Sequence, residues 1–431
     1  MLTNQIIRAL ACYLLYIGFL VFFAVGYSII LYPYHTYFAL SIGEWEWPVV
    51  ALLILVSAFP ILLFDSFIKT SSAFLFLLFY LIVLGPSIPL HYVVFGSVDW
   101  FYIFLVSLMS FALSICSWVR IPDLVLSNFS GKAQLNFIIV IGGLAFFVFY
   151  SVFVYTGEFK LVGVNDVYEL RHEFRDNADT IMRYLIGVVG GSLAPYAIVY
   201  GWSRRRFSYF TLGVTCYLIS YMVAGHKSII LSLIIMLGCL FILNKGIKAW
   251  VMVVTILSGS LAIFAVDFYV GRALLSLFSL DRMVLAPSVL NYLYYDFFSH
   301  HTFAYWGHSF LKGIVEYNYS ESPAFLIGSL FFKEGDRANA NLLADGYSNF
   351  GMLGALLLLF VFVLFGLVYE ALSKMFSFSQ RIAMFIPQVM FLSNGSPLTA
   401  VLTNGLIVLY IILLLTPDQR KYVANLKGAS Q

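Results

Sequence analysis

Leu10-Ala-Cys12-Tyr-Leu-Leu15-Tyr-Ile-Gly18-Phe-Leu20-Val-Phe-Phe23-Ala-Val-Gly26-Tyr-Ser-Ile-Ile30-Leu31 decides the fold class. Between Ile6 and Leu31 the one charge is Arg8. A helix needs about 20 apolar residues to cross hydrocarbon, and this run supplies them. The apolar core of a secretion signal is shorter, about 7–15 residues, and no small-x-small cleavage pattern stands out here. The run reads as a retained first span.

Working outward, the same texture recurs. The chain has 431 residues, 62% hydrophobic and 10% charged, where a soluble domain carries about 25% charged residues. A net charge of +3 gives no case for a nucleic-acid partner. Cys12, Cys116, Cys216 and Cys239 lie singly in apolar runs, with neither disulfide nor metal spacing. Candidate spans fall near 7–31, 48–64, 73–90, 100–118, 135–156, 181–200, 207–224, 228–243, 249–267, 349–369, 382–398 and 401–415. The eleventh is interrupted by Pro387 and Pro397. The expectation is an all-α polytopic membrane protein, one integral domain over 1–431, with about 12 transmembrane helices. Gly187-Val-Val-Gly190-Gly191 in the sixth span invites close helix packing.

Lysine and arginine favour the cytoplasmic side of short loops. With both termini inside, Arg204-Arg-Arg206 and most other cations in short loops are cytoplasmic, whereas Lys227 is the exception. Of the acidic residues, Asp65, Asp123, Glu370 and Asp418 alone are then inside. Ionisable chemistry gathers on the outer face, in two large periplasmic loops, 157–183 and 268–348.

In the first loop, Asp166 and Glu169 have capping-box spacing, so a helix starts there. Tyr168, Arg171, Arg175 and Asp179 then share one face at i+3 and i+4 steps. Guanidinium forks at all working pH values suit a diphosphate. The plainer alternative is a solvated helix stitched by Glu–Arg pairs. Gly225-His226-Lys227-Ser228 is a tight outer turn lacking the glycines of a phosphate loop. Lys227 is there either as an anion contact or as a lysine reaching the lipid head groups.

In the second loop, Pro287 fits the first turn of a helix reaching about Phe298. Its aromatic run is Tyr292-Leu-Tyr294-Tyr295-Asp296-Phe297-Phe298. Asp296 and His300 are i,i+4, and His301 follows. A carboxylate beside an imidazole suits a general base, and the aromatics suit a sugar platform. The plainer alternative is an interfacial aromatic belt with incidental histidines. Two adjacent histidines do not make a metal site. Arg337, Asn339, Asn341 and Asp345 close the loop with groups that suit sugar hydroxyls or helix capping.

Taken together, the chain resembles a bacterial oligosaccharide repeat-unit polymerase of the Wzy-type O-antigen family. The resemblance rests on Val167-Tyr-Glu-Leu-Arg171, Gly225-His-Lys-Ser228, Asp281-Arg282 with Pro287 and Tyr294-Tyr-Asp-Phe297, and Asn339-Ala-Asn341 through Asp345 to Asn349-Phe-Gly351. It implies a GT-C-type fold in the bacterial inner membrane and a periplasmic active site. It also implies metal-independent transfer, without cofactor, of an undecaprenyl-diphosphate-linked oligosaccharide onto a lipid-linked repeat unit. A chain-length regulator is a further implied partner. Arg171, Arg175 and Arg282 would hold the donor diphosphate, assisted by Lys227 and Arg272. His301, His300 or Asp296 would deprotonate the acceptor.

Three rivals stay open. An O-antigen ligase uses the same donor with a lipopolysaccharide-core acceptor. A metal-dependent GT-C enzyme would use Glu44 and Glu46 in the first outer loop. A transporter or flippase predicts charges inside spans and small outer loops, the reverse of this pattern.

Overall fold

The computed structural model describes residues 2–34, 44–124, 131–155, 157, 160, 167–243, 246–332 and 335–417. It is 78% helical. Among the described residues, seven helices are long and apolar enough to cross a membrane, and four shorter apolar helices accompany them. The one sheet among these residues is a two-residue antiparallel pairing of Phe67–Ile68 with Ile247–Lys248. The chain is an all-α membrane protein.

Two compact units share it. The first takes residues 1–119, 247–366 and 392–397. Leu2–Gly26 packs on Ala249–Val270, where a Cβ on Gly26 would lie 2.6 Å from the Phe264 ring, so any side chain there would have to displace it. At the centre lies Ser71–Phe95, almost wholly buried. Pro86 and Pro89 sit inside it, and the chain widens into a π-type turn at Tyr80–Leu84. Proline removes a helical donor: Pro89 has no N–H for the Gly85 carbonyl, and hydroxyls from neighbouring helices reach carbonyls of this stretch. Ser57 Oγ donates to Gly85 O at 2.6 Å, and Ser288 Oγ to Val83 O at 3.1 Å. Ser288 belongs to the tyrosine helix, Ala286–His300, which lies along this proline-bearing helix.

The tenth expected span begins early. Helix starts at Leu342, so Asp345 to Ser348 are helical and mostly buried rather than looped. The path to Ser373 is two helices joined at a corner, with Phe350 at φ −144° and Gly351 at φ 59°. In a straight helix, positions 346 and 354 would stand about 12 Å apart along the axis. Here they touch: a Cβ on Gly354 would lie 2.0 Å from the Gly346 carbonyl oxygen. The axis therefore folds back on itself.

The second unit takes residues 120–246, 367–391 and 398–431. Within it Ala194–Ser203 and Phe207–Ala224 form a close helical pair. Gly187 and Gly191 do permit close packing, against the backbone of Thr403 and Asn404. Gln388 Nε2 donates to Gly191 O at 2.8 Å and to Asn404 O at 2.7 Å. The expected last two spans are shorter pieces, Phe378–Leu392, Pro397–Leu402 and Leu406–Leu415. Pro397 and Gly405 break them.

The corner predicts a sharp contrast. Gly354→Val should lower stability by about 2–3 kcal/mol through forced overpacking, read as a lower melting midpoint in detergent. Gly18→Ala, with nothing within 4 Å of the new methyl, should leave it unchanged or slightly raised. Equal behaviour of the two variants would contradict the corner.

Candidate functional sites

The sequence-expected residues divide between the two units. In the second unit, helix runs over Val167–Asn177. The start agrees with the expected one, although Asp166 lies outside the described residues. Tyr168 is in its first turn, and Lys227 opens the helix Lys227–Ile242; both side chains lie outside what is described. Arg171 is half-buried, and its Nε donates to the Gly225 carbonyl at 3.0 Å. Gly225, at φ 60°, makes the left-handed turn that ends Phe207–Ala224. Arg171 thus ties the arginine helix to the 225–228 turn, which the sequence put only on the same side of the membrane.

Arg175 is exposed and meets Asp176 at 3.2 Å, both side chains 65% exposed. Such a pair contributes about 0–1 kcal/mol, so the guanidinium stays available. Asp179 leaves the expected face, because the helix stops before it. It caps Thr180–Val188, accepting from the Met182 amide at 2.8 Å and from the Tyr150 hydroxyl. Those bonds hold its carboxyl below the usual carboxylate range, Tyr150 contributing most. Arg183 Nη2 donates to Arg175 O at 2.7 Å, satisfying a carbonyl at the helix end.

In the first unit, Arg282 lies in a π-type turn, Asp281–Leu285, that runs straight into the tyrosine helix. Its side chain is 57% exposed and stands 3.7 Å from Asp281. Its carbonyl accepts from Asn394 Nδ2 at 2.8 Å. Two residues on, Ser396 Oγ donates to Asp345 Oδ2 at 2.5 Å. The turn Ser393-Asn394-Gly395-Ser396 therefore joins Arg282 and Asp345. Sequence reasoning passed over Asn394 and Ser396, although a polar Gly/Pro turn inside an apolar run was visible there.

Asp345 also accepts from Asn349 Nδ2 at 3.0 Å. Asn349 in turn takes the Trp306 amide at 2.6 Å, and Ser348 O takes the Ala304 amide at 2.8 Å. The segment after His301 is thus fastened to the corner. Tyr305 and Trp306 have φ 48° and 52°, a left-handed backbone that costs an L-residue about 1–2 kcal/mol each.

Other expectations are corrected. His300 Nδ1 meets the backbone carbonyl of Asp296 at 2.8 Å, not its carboxylate. His301 Nδ1 meets Phe297 O at 2.8 Å and its ring stacks on Phe297, centroids 4.0 Å apart. A carbonyl only accepts, so each Nδ1 is the donor in these contacts. From Arg282 to His300 the helical path is about 27 Å at about 1.5 Å per residue, so the arginine and the histidines do not share a centre. Tyr295 offers no open platform. It is buried among Tyr102, Tyr292 and Tyr347, and its hydroxyl donates to Asp99 at 3.1 Å.

Asn341 is buried and caps the helix after it, accepting from the Leu343 amide at 3.0 Å. Arg337 is exposed, its guanidinium 4.6 Å from the Phe325 ring centre, and Asn339 is exposed. Arg272 is exposed beyond Gly271, where Asp267 caps Leu275–Phe278 through the Leu275 and Ser276 amides. Among the described residues, no group of three or more His, Cys, Asp or Glu could hold a metal ion. Comparison with protein-family models, curated proteins and solved structures gave no match.

His226 supplies a pH test. It is half-buried, its ring edge-on to Phe174 at 6.1 Å. Burial first, then the Arg171 guanidinium, push its pKa down from 6.5 to about 4. The unfolded chain binds that proton first, so stability present above pH 6.5 is lost as pH falls towards 4. The melting midpoint in detergent should drop over that window, and His226→Gln should drop less. Equal slopes would remove His226 as the cause.

Proposed function

We propose that this chain is a glycosyltransferase polymerising lipid-linked oligosaccharide repeat units at the outer face of a bacterial inner membrane. About 12 spans and a GT-C-type arrangement belong to that reading. One observation carries it: Arg282, whose guanidinium is exposed, is tied by its backbone carbonyl through a polar turn to the Asp345 carboxylate, in a chain only 10% charged. The motifs that resemble Wzy-type polymerases include both residues.

In this reading the acceptor hydroxyl oxygen bonds to the donor's anomeric carbon, and the bond from that carbon to the diphosphate oxygen breaks. The electron pair leaves with undecaprenyl diphosphate, whose growing charge Arg282 steadies. The proton passes to Asp345. A carboxylate has about four lone-pair sites, and Ser396 and Asn349 use two of them. His300, His301 and Asp296, at the far end of the tyrosine helix, are then outside the bond-forming step. Arg272 adds positive charge near the first unit's polar loop. Arg171, Arg175 and Lys227, in the second unit, are suited to a lipid diphosphate.

The test is a ladder assay with purified protein and synthetic undecaprenyl-diphosphate-linked repeat units. Arg282→Ala should lower turnover by about 100–1,000-fold, the loss expected for one oxyanion-stabilising donor, at unchanged protein level. His301→Ala should keep the ladder. A normal ladder from Arg282→Ala would sink the assignment. Transfer only to a lipopolysaccharide core would make the protein a ligase. Activity lost in chelator and restored by manganese would move the centre to Glu44 and Glu46.

A further inference from the structure

We infer that residues 304–315 form a tongue that beds on the lipid surface, where the long helix beyond the corner leaves the hydrocarbon. The reaction scheme uses none of these residues, so the inference stands apart from it.

The tongue is a succession of tight turns. The Gly307 amide donates to Ala304 O at 2.9 Å, Lys312 to Ser309 O at 3.1 Å, and Ile314 to Leu311 O at 3.0 Å. Gly313, at φ 84°, reverses the chain near the tip. Turns facing water favour Gly, Pro, Asn, Asp and Ser. This one instead presents Phe310, 62% exposed, and Ile314, 79% exposed. Scattered apolar residues on a surface are ordinary. Two large ones on a single turn-rich segment, within four residues of each other, call for a partner.

The partner follows from where the tongue is fastened. Beyond Gly351 the helix runs on to Ser373. Its Leu353, Leu357, Phe360 and Leu364 are 44–73% exposed. Steps of three and four put them on one helical face, and on a membrane-spanning helix such a face meets lipid tails. The tongue is tied to the corner that opens this row. The Ala304 amide donates to Ser348 O at 2.8 Å, and the Trp306 amide to Asn349 Oδ1 at 2.6 Å. The Trp306 ring lies 5.0 Å from Phe350 and 5.3 Å from Phe310, centre to centre. Those two ring contacts carry the apolar face past the end of the helix to Phe310. Trp and Tyr gather where a membrane meets water, and Tyr305 and Trp306 are at that level. Lys312, exposed between the two apolar tips, can lay its stem on apolar surface and reach a lipid phosphate with its ammonium. A second copy of this chain is the competing occupant.

The test places a polarity-sensitive fluorophore on the full chain at Phe310→Cys, at Ile314→Cys and, as a water-side control, at the exposed Ser320→Cys. Each protein is reconstituted into phospholipid vesicles, and the signal of unsubstituted protein is subtracted. Lipids brominated in their tails should quench the labels at 310 and 314 and spare 320. Iodide in the buffer should do the reverse, and emission from 310 and 314 should be blue-shifted relative to 320. Labels at 310 and 314 that iodide quenches and brominated lipid does not would overturn the inference, placing the tongue in water. So would an equal response at all three positions. Protection from both quenchers that disappears as the protein is diluted in lipid would overturn it as well, and would assign the tongue to contact between copies. Both side chains are exposed, so the variants should melt with the wild type in detergent; if one fails to fold, the other position decides. No step of this test depends on the polymerase reading.

Discussion

A backbone carbonyl without its helical donor must find another inside the protein when the surroundings are hydrocarbon. That constraint organises both units. Two prolines interrupt the most buried helix of the first unit, and Ser57 and Ser288 reach the carbonyls nearby. In the second unit, Gln388 bonds the carbonyls of Gly191 and Asn404 where helices meet without side chains between them. At the 350–351 corner the Ala304 amide serves Ser348. At these three places a departure from regular helix is met by a polar group, and the candidate chemistry lies at one of them.

The fold class was legible because transfer of apolar side chains is written in long runs that need no partner to interpret. The first span and the tyrosine helix fell within a few residues of expectation for that reason. Leu342 onward was not legible as helix, because Asn341, Asp345, Ser348 and Asn349 look like loop residues until their partners are seen. Those partners are Ser396, Trp306 and Ala304, separated in sequence and invisible to periodicity. Tyr295 failed as a platform for the related reason that an aromatic ridge has the same pattern whether it meets sugar or other rings.

The candidate site was half legible. Arg282 and Asp345 could be picked by type, yet only the turn at 393–396 says that they belong together. The histidines were attractive by chemistry alone. A continuous helix between them and Arg282 sets a ruler that composition lacks. Arg171 shows the converse: a residue chosen for ligand binding also braces a turn of its own unit, so its loss would mix two effects.

The first unit is assembled from segments that are not contiguous, and its last piece is 392–397. Chains emerge from the ribosome at about 5–20 residues per second, so this piece is made after every other part of the unit is in place. Until then Arg282 lacks the Asn394 bond and Asp345 lacks the Ser396 bond. A product terminated before residue 392 would carry most of the helices and still lack both bonds. Biosynthetic order thus leaves the two ties at Arg282 and Asp345 among the last contacts of the first unit to form.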